Sequence, residues 1–138
     1  MSRQYNELVP GRIFIGSADD AEQAVLSEQI DTVFDVRING REGEQAYKYI
    51  HAPITEEATV DTIKAGAEKL AQAYEAGEKI YIHCGSGTGR AGVMAAATLI
   101  EIGAASNLDE AITQVKDARP AVKVRENMQA ALEEIYKK

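Results

Sequence analysis

Short apolar runs rich in β-branched residues alternate along this chain with longer stretches in which apolar positions recur every three or four residues. The first pattern is that of buried strands, the second that of amphipathic helices. "RIFIG" (Arg12–Gly16) reads as a strand, and "SADDAEQAVLSEQ" (Ser17–Gln29) as a helix capped by Ser17 with acids in its first turn. "DTVFDVR" (Asp31–Arg37) is a buried strand leading into the polar loop "INGREGEQ"; "YKYIHAPI" (Tyr47–Ile54) is a third, stopped by Pro53. Between Thr59 and Glu75, the residues Ile63, Ala67, Leu70 and Tyr74 share one helical face, and Gly77 ends that helix. "KIYIHC" (Lys79–Cys84) is the most apolar run, which predicts a central strand. A helix follows from Gly89 to Ile102. Ser106 and Asp109 then form a capping-box pattern ahead of Leu108, Ile112 and Val115. Arg119–Pro120 breaks this helix, and Val124, Met128, Leu132 and Ile135 make the apolar stripe of a last one.

Strands alternating with helices predict an α/β fold: a central, mostly parallel sheet of four to five strands with helices on both faces. In such sheets ligands bind beyond the C-terminal ends of the strands, and Cys84 falls at one of those ends. With no internal repeat, linker or low-complexity segment, residues 1–138 read as a single domain, large enough for one core. The opening "MSRQYNELVPGR" lacks an apolar signal region, and no run approaches the ~18 apolar residues of a membrane span. One cysteine excludes an internal disulfide and fits a reducing cytoplasm, so a cytoplasmic protein is expected. With 22 acids against 15 bases, a net charge of -7 argues against broad nucleic-acid or anionic-membrane binding. An anionic substrate must then be held by a local positive site.

"YIHCGSGTGRAG" (Tyr81–Gly92) supplies the elements of one. Gly85, Gly87 and Gly89 allow positive φ, so successive backbone N–H groups can point into one hollow. That hollow opens at a helix N-terminus, whose unpaired N–H groups and positive dipole end favour an anion such as phosphate. Arg90 adds a planar fork able to hold two oxygens at once. The same field favours thiolate over thiol at Cys84, and a thiolate beneath a bound phosphate is a nucleophile aimed at phosphorus. A lone cysteine after an apolar strand is commonly an inert core residue, and a glycine-rich stretch alone is weak evidence. Cys, five residues and Arg, with strand before and helix after, meet several independent demands together.

"HCGSGTGRAG" resembles the signature loop of the cysteine-dependent protein tyrosine phosphatases, in particular the compact dual-specificity phosphatases. The likeness spans nearly the whole chain: "VPGRIFIGSADDA" and "IDTVFDVR" resemble their early strands, "APITEEATVDTI" their acid-bearing segment, and "ARPAVKVRENMQAALEEI" their final helical region. The resemblance implies that Cys84 takes the phosphoryl group, that Arg90 clamps the phosphate, and that the backbone of Gly85, Ser86, Gly87, Thr88, Gly89 and Arg90 cradles its oxygens. His83 would brace the loop. No metal and no cofactor is implied.

Two positions depart from the family pattern. Ala91 stands where relatives usually carry a Ser or Thr whose hydroxyl donates to the cysteine sulfur and helps it leave. The usual acidic Asp falls nearest Glu56, with Glu57 and Asp61 as rivals; any of the three can instead be a solvated charge at a helix start. Asp35 and Arg37 read as an ion pair rather than catalytic groups, His51 as structural, and Tyr47, Tyr49 and Tyr74 as core. The expected function is a phosphomonoester hydrolase working through a phosphocysteine. Its expected substrate is phosphotyrosine or phosphoserine/threonine in proteins, with a small phosphorylated molecule as the other candidate. No lysine lies among residues 85–89, where family members that act on inositol lipids often carry them, so the resemblance lowers such lipids as substrates. The alternatives are a catalytically weak phosphate-binding module and, after it, a rhodanese-type sulfurtransferase.

Overall fold

The computed structural model describes residues 5–39, 47–85 and 89–136. In chain order these form β1 (Tyr5–Val9), β2 (Ile13–Gly16), α1 (Ala21–Glu28), β3 (Thr32–Asp35) and β4 (Lys48–His51). There follow α2 (Thr59–Glu75), β5 (Ile80–His83), α3 (Arg90–Glu101), α4 (Leu108–Ala118) and α5 (Glu126–Tyr136). The five strands make one sheet in the order β1-β2-β5-β3-β4, with β1 antiparallel to β2 and the other pairs parallel. β5 lies at the centre with all four residues buried, because a strand covered on both faces has no position for a polar residue facing water.

Both faces of the sheet are covered, as the alternation of elements predicts. Tyr5, Phe14, Val33 and Tyr81 point to the side of α1, where they pack with Ala21, Ala24 and Ile30. Ile13, Ile15, Phe34, Ile80 and Ile82 point the other way, into a larger core with α2, α3, α4 and α5. Ile63, Ala67 and Leu70 of α2 are fully buried there. Tyr74 is only partly buried, its ring lying under the Arg12 guanidinium at 4.1 Å.

Several boundaries differ from the pattern reading. β1 was not predicted: it is an edge strand in which only Tyr5 is buried, so apolar spacing carries little of its signal. The first helix starts at Ala21 rather than at Ser17. The Ser17 hydroxyl donates to the Asp20 carboxylate at 2.6 Å and accepts from its backbone N–H at 3.3 Å, forming a turn ahead of α1 instead of a cap. At α4 the cap is Asn107, whose side chain accepts from the Glu110 N–H at 2.9 Å. The Glu110 carboxylate accepts from the Ser106 N–H, one residue before the cap, so the capping pair is Asn107 and Glu110 rather than Ser106 and Asp109. Gly77 has φ +88° and ends α2 as expected.

Register fixes what lies at the C-terminal edge. Gly16 is opposite His83, His83 opposite Asp35, and Asp35 opposite His51, so four strands end in one row. The next residue after the central member of that row is Cys84.

Candidate active site

Cys84 is buried, 7% exposed, just beyond β5. Its surroundings are pinned by backbone bonds to both neighbouring strand ends. The Val36 N–H donates to the His83 carbonyl at 2.9 Å, and the Ala18 N–H to the Gly85 carbonyl at 2.9 Å. The His83 ring is fully buried, with Nδ1 2.9 Å from the Cys84 carbonyl and 3.9 Å from an Asp35 carboxylate oxygen. This contact between ring and loop backbone suits the bracing role expected of His83.

Gly85 and Gly89 line a cavity of about 450 Å³ together with Cys84 and Arg90. Their conformation differs from the expectation: neither has positive φ, and Gly89, which precedes α3, has φ −114° and ψ −100°. What their lack of a side chain provides is space. Among the described residues a Cβ built at either position meets nothing within 4 Å, so a ligand can approach the bare backbone there. Ser86, Gly87 and Thr88 lie outside the described residues.

Arg90 opens α3 and reaches across to the β4–α2 connection, where its Nε donates to the Ile54 carbonyl at 3.1 Å. The two terminal nitrogens of its fork have no partner among the described residues. Cys84 and Arg90 therefore share one cavity, thiol at a strand end and guanidinium at a helix start, as the motif spacing predicts. Ala91 is fully buried in the first turn of α3 and supplies no hydroxyl.

The three candidate acids are placed differently. Glu56 and Glu57 sit exposed in the turn before α2, and Asp61 is exposed in its first turn. None of them is among the residues that line the cavity. Asp61 occupies the helix-start position where a negative charge meets the positive dipole end.

Sequence reasoning did not assign three basic residues to the site: Arg37, Lys123 and Arg125 also line the cavity. Arg37 is held by Asp35, as the ion-pair reading of these two expects. Its Nε and Nη2 donate to the two carboxylate oxygens at 3.0 and 2.7 Å, and its backbone N–H donates to the first at 3.0 Å. The Tyr49 hydroxyl completes the set at 2.6 Å, and His51 Nε2 lies 2.7 Å from the Arg37 carbonyl. Burial pushes the Asp35 carboxyl up, but the hydrogen bonds from Arg37 and Tyr49 outweigh it and hold the group below the usual carboxylate range. Lys123 and Arg125 come from the α4–α5 connection. Gly92 explains their proximity: a Cβ there would lie 2.5 Å from a Val122 methyl, so only glycine lets this connection pack on the first turn of α3.

Comparison with known proteins agrees with this geometry. The family model described as the dual specificity phosphatase catalytic domain matches residues 13–138, and the chain belongs to that family. Its fold is shared by a mouse putative dual specificity phosphatase solved with zinc tungstate (21% identity, TM-score 0.83, covering 97% of this chain and 87% of that one). Human DUSP28 is similar at 18% identity and TM-score 0.80, over 97% of this chain and 93% of that one. PTPMT1 is similar at 19% identity and TM-score 0.77, over 94% and 92%. No curated protein sequence matches significantly. Among the described residues no helix is long and apolar enough to cross a membrane.

Proposed function

We propose that this chain is a phosphomonoester hydrolase working through a phosphocysteine at Cys84, with phosphotyrosine or phosphoserine/threonine of proteins as substrate. The observation that carries the reading is the single cavity shared by Cys84, Arg90 and the bare backbone of Gly85 and Gly89. In the first step the Cys84 thiolate attacks phosphorus as the bond to the leaving oxygen breaks, and that oxygen takes a proton. Glu56 is the proposed donor, two residues beyond the Ile54 carbonyl that Arg90 holds. In the second step water attacks phosphorus, the P–S bond breaks, and orthophosphate and the thiolate are released. Neither step as written calls for a metal or cofactor. Arg90 matches the charge on the equatorial oxygens in both.

A second reading, phosphate binding with little turnover, draws on the placement of Glu56, Glu57 and Asp61 away from the cavity lining and on the buried Ala91. One variant separates the two. Cys84→Ser is expected to abolish hydrolysis of an aryl phosphate while keeping its affinity, because the loop backbone and Arg90 remain. Wild-type turnover in that variant would remove Cys84 from the mechanism. Tight binding with no turnover by the wild type itself would favour the binder.

A further inference from the structure

β5 is buried along its whole length, yet Tyr81 and His83 carry polar groups into it. The period of two puts both on the α1 side of the sheet, with ring centroids 5.9 Å apart. His83 meets the loop directly, through the Cys84 carbonyl. Tyr81 meets it at one remove. A phenol hydroxyl inside a core must be hydrogen-bonded, and a phenylalanine would fill the same space without that demand.

The Tyr81 hydroxyl donates to the Ser17 carbonyl at 2.7 Å. The Ala18 N–H, in the same peptide unit, donates to the Gly85 carbonyl at 2.9 Å. A trans peptide is planar and points its C=O and N–H in opposite directions, so a hydroxyl that fixes the carbonyl also aims the N–H. Gly85 lines the cavity, whereas Ser17 and Ala18 are not among its lining residues. The Gly85 carbonyl oxygen is therefore drawn toward the β2–α1 turn. Turned into the cavity instead, it would set its partial negative charge against a bound anion.

Gly16 keeps the path of the hydroxyl open. A Cβ at this position would collide with the Tyr81 hydroxyl and with the Tyr5 side chain, so only glycine ahead of Ser17 lets the phenol reach the Ser17 carbonyl. The turn that follows is fixed by the bonds between Ser17 and Asp20.

We propose that Tyr81 is a positioning residue of the phosphate site: through the Ser17–Ala18 peptide it holds the Gly85 carbonyl away from the bound phosphoryl group. The proposal rests on the phosphatase reading of the Cys84 loop and adds to it a residue from outside that loop.

Tyr81→Phe tests it, since the ring and its packing stay and only the hydroxyl goes. Tyr5→Phe is the control. It removes a second hydroxyl from the same aromatic cluster, one that donates to the Glu28 carboxylate at 3.0 Å rather than to the turn. Protection of Cys84 from iodoacetate by inorganic phosphate reads the affinity of the site, and hydrogen exchange of the Ala18 amide reads the brace. In Tyr81→Phe the phosphate affinity is expected to fall about two- to tenfold, the worth of one neutral hydrogen bond, with faster exchange at Ala18. KM for an aryl phosphate should rise by the same factor at nearly unchanged kcat, because the loop holds substrate and transition state alike. A variant that had merely unfolded in part would lose kcat at unchanged KM. Tyr5→Phe should leave phosphate affinity and KM as they are. Wild-type phosphate affinity in Tyr81→Phe, wild-type protection of its Ala18 amide, or an equal loss of affinity in Tyr5→Phe would each overturn the proposal. If the wild type turns over no aryl phosphate, the hydrolase reading fails separately, and the phosphate and exchange measurements still decide the role of Tyr81. No protection by phosphate in the wild type would overturn both.

Discussion

Asp35 ends β3 with its side chain fully buried, in register with the histidine that precedes the nucleophile, and it has the two ends of Arg37 and the Tyr49 hydroxyl around it. A carboxylate in that position orients the arginine that lines the cavity. Its depressed pKa also couples it to stability. Because the folded-state pKa lies below the unfolded value of ~3.9, the contribution is fully present above about pH 4 and is lost as pH falls further. Asp35→Asn is expected to lower stability at neutral pH by about 1–3 kcal/mol, since Arg37 and Tyr49 lose a charged acceptor. It should also flatten the acid limb of stability below about pH 4. Urea midpoints across that range check both parts; an acid limb as steep as the wild type's would show that Asp35 is not the group titrating. Cys84 and Arg90 were legible because one loop carries both, and sequence spacing along a strand–loop–helix unit is close to spatial spacing. Arg37, Lys123 and Arg125 were not, because they reach the cavity from segments far apart in the chain.

At the scale of elements, apolar periodicity located the buried strands and α2 through α5 well, since these are the pieces whose burial the core demands. It missed β1, where a single buried tyrosine replaces a run, and it misplaced the start of α1, where Ser17 bonds Asp20 locally instead of capping. Both misses concern local hydrogen bonding and edge pairing, which leave little hydrophobic trace. Spacing alone likewise does not decide backbone shape: Gly85 and Gly89 lack the positive φ expected of them and leave room among the described residues instead. Gly92 lies within the helix predicted from Gly89 to Ile102, and it sets how the α4–α5 connection meets α3. Gly92→Ala should force Val122 outward and cost about 1–3 kcal/mol by overpacking. The accompanying displacement of Lys123 and Arg125 is expected to weaken binding of an aryl phosphate as well. A variant as stable as the wild type would mean that the connection yields without cost.

At the scale of the whole molecule, the parallel sheet gathers four strand ends in one row and the central one delivers Cys84 to a cavity whose described lining includes Arg37, Arg90, Lys123 and Arg125. On the proposed function, phosphoryl groups pass through the Cys84 sulfur. Ala91 makes this observable: position 91 offers the sulfur no hydroxyl, so the expectation, unless Ser86 or Thr88 supplies one, is slower hydrolysis of the intermediate with its formation unaffected. Losing one such charge-assisted bond costs roughly 1.5–3 kcal/mol, about ten- to a hundredfold in rate. The most direct measurement mixes the enzyme with excess aryl phosphate, follows the leaving group on the millisecond scale, and quenches in alkaline denaturant for mass analysis of the Cys84 peptide. The expected result is a burst of about one leaving group per chain and one phosphoryl group on Cys84, with Ala91→Ser raising turnover about ten- to a hundredfold and emptying that pool. Steady turnover with Cys84 unmodified and no gain from Ala91→Ser, or a phosphoryl group on any other residue, would contradict it.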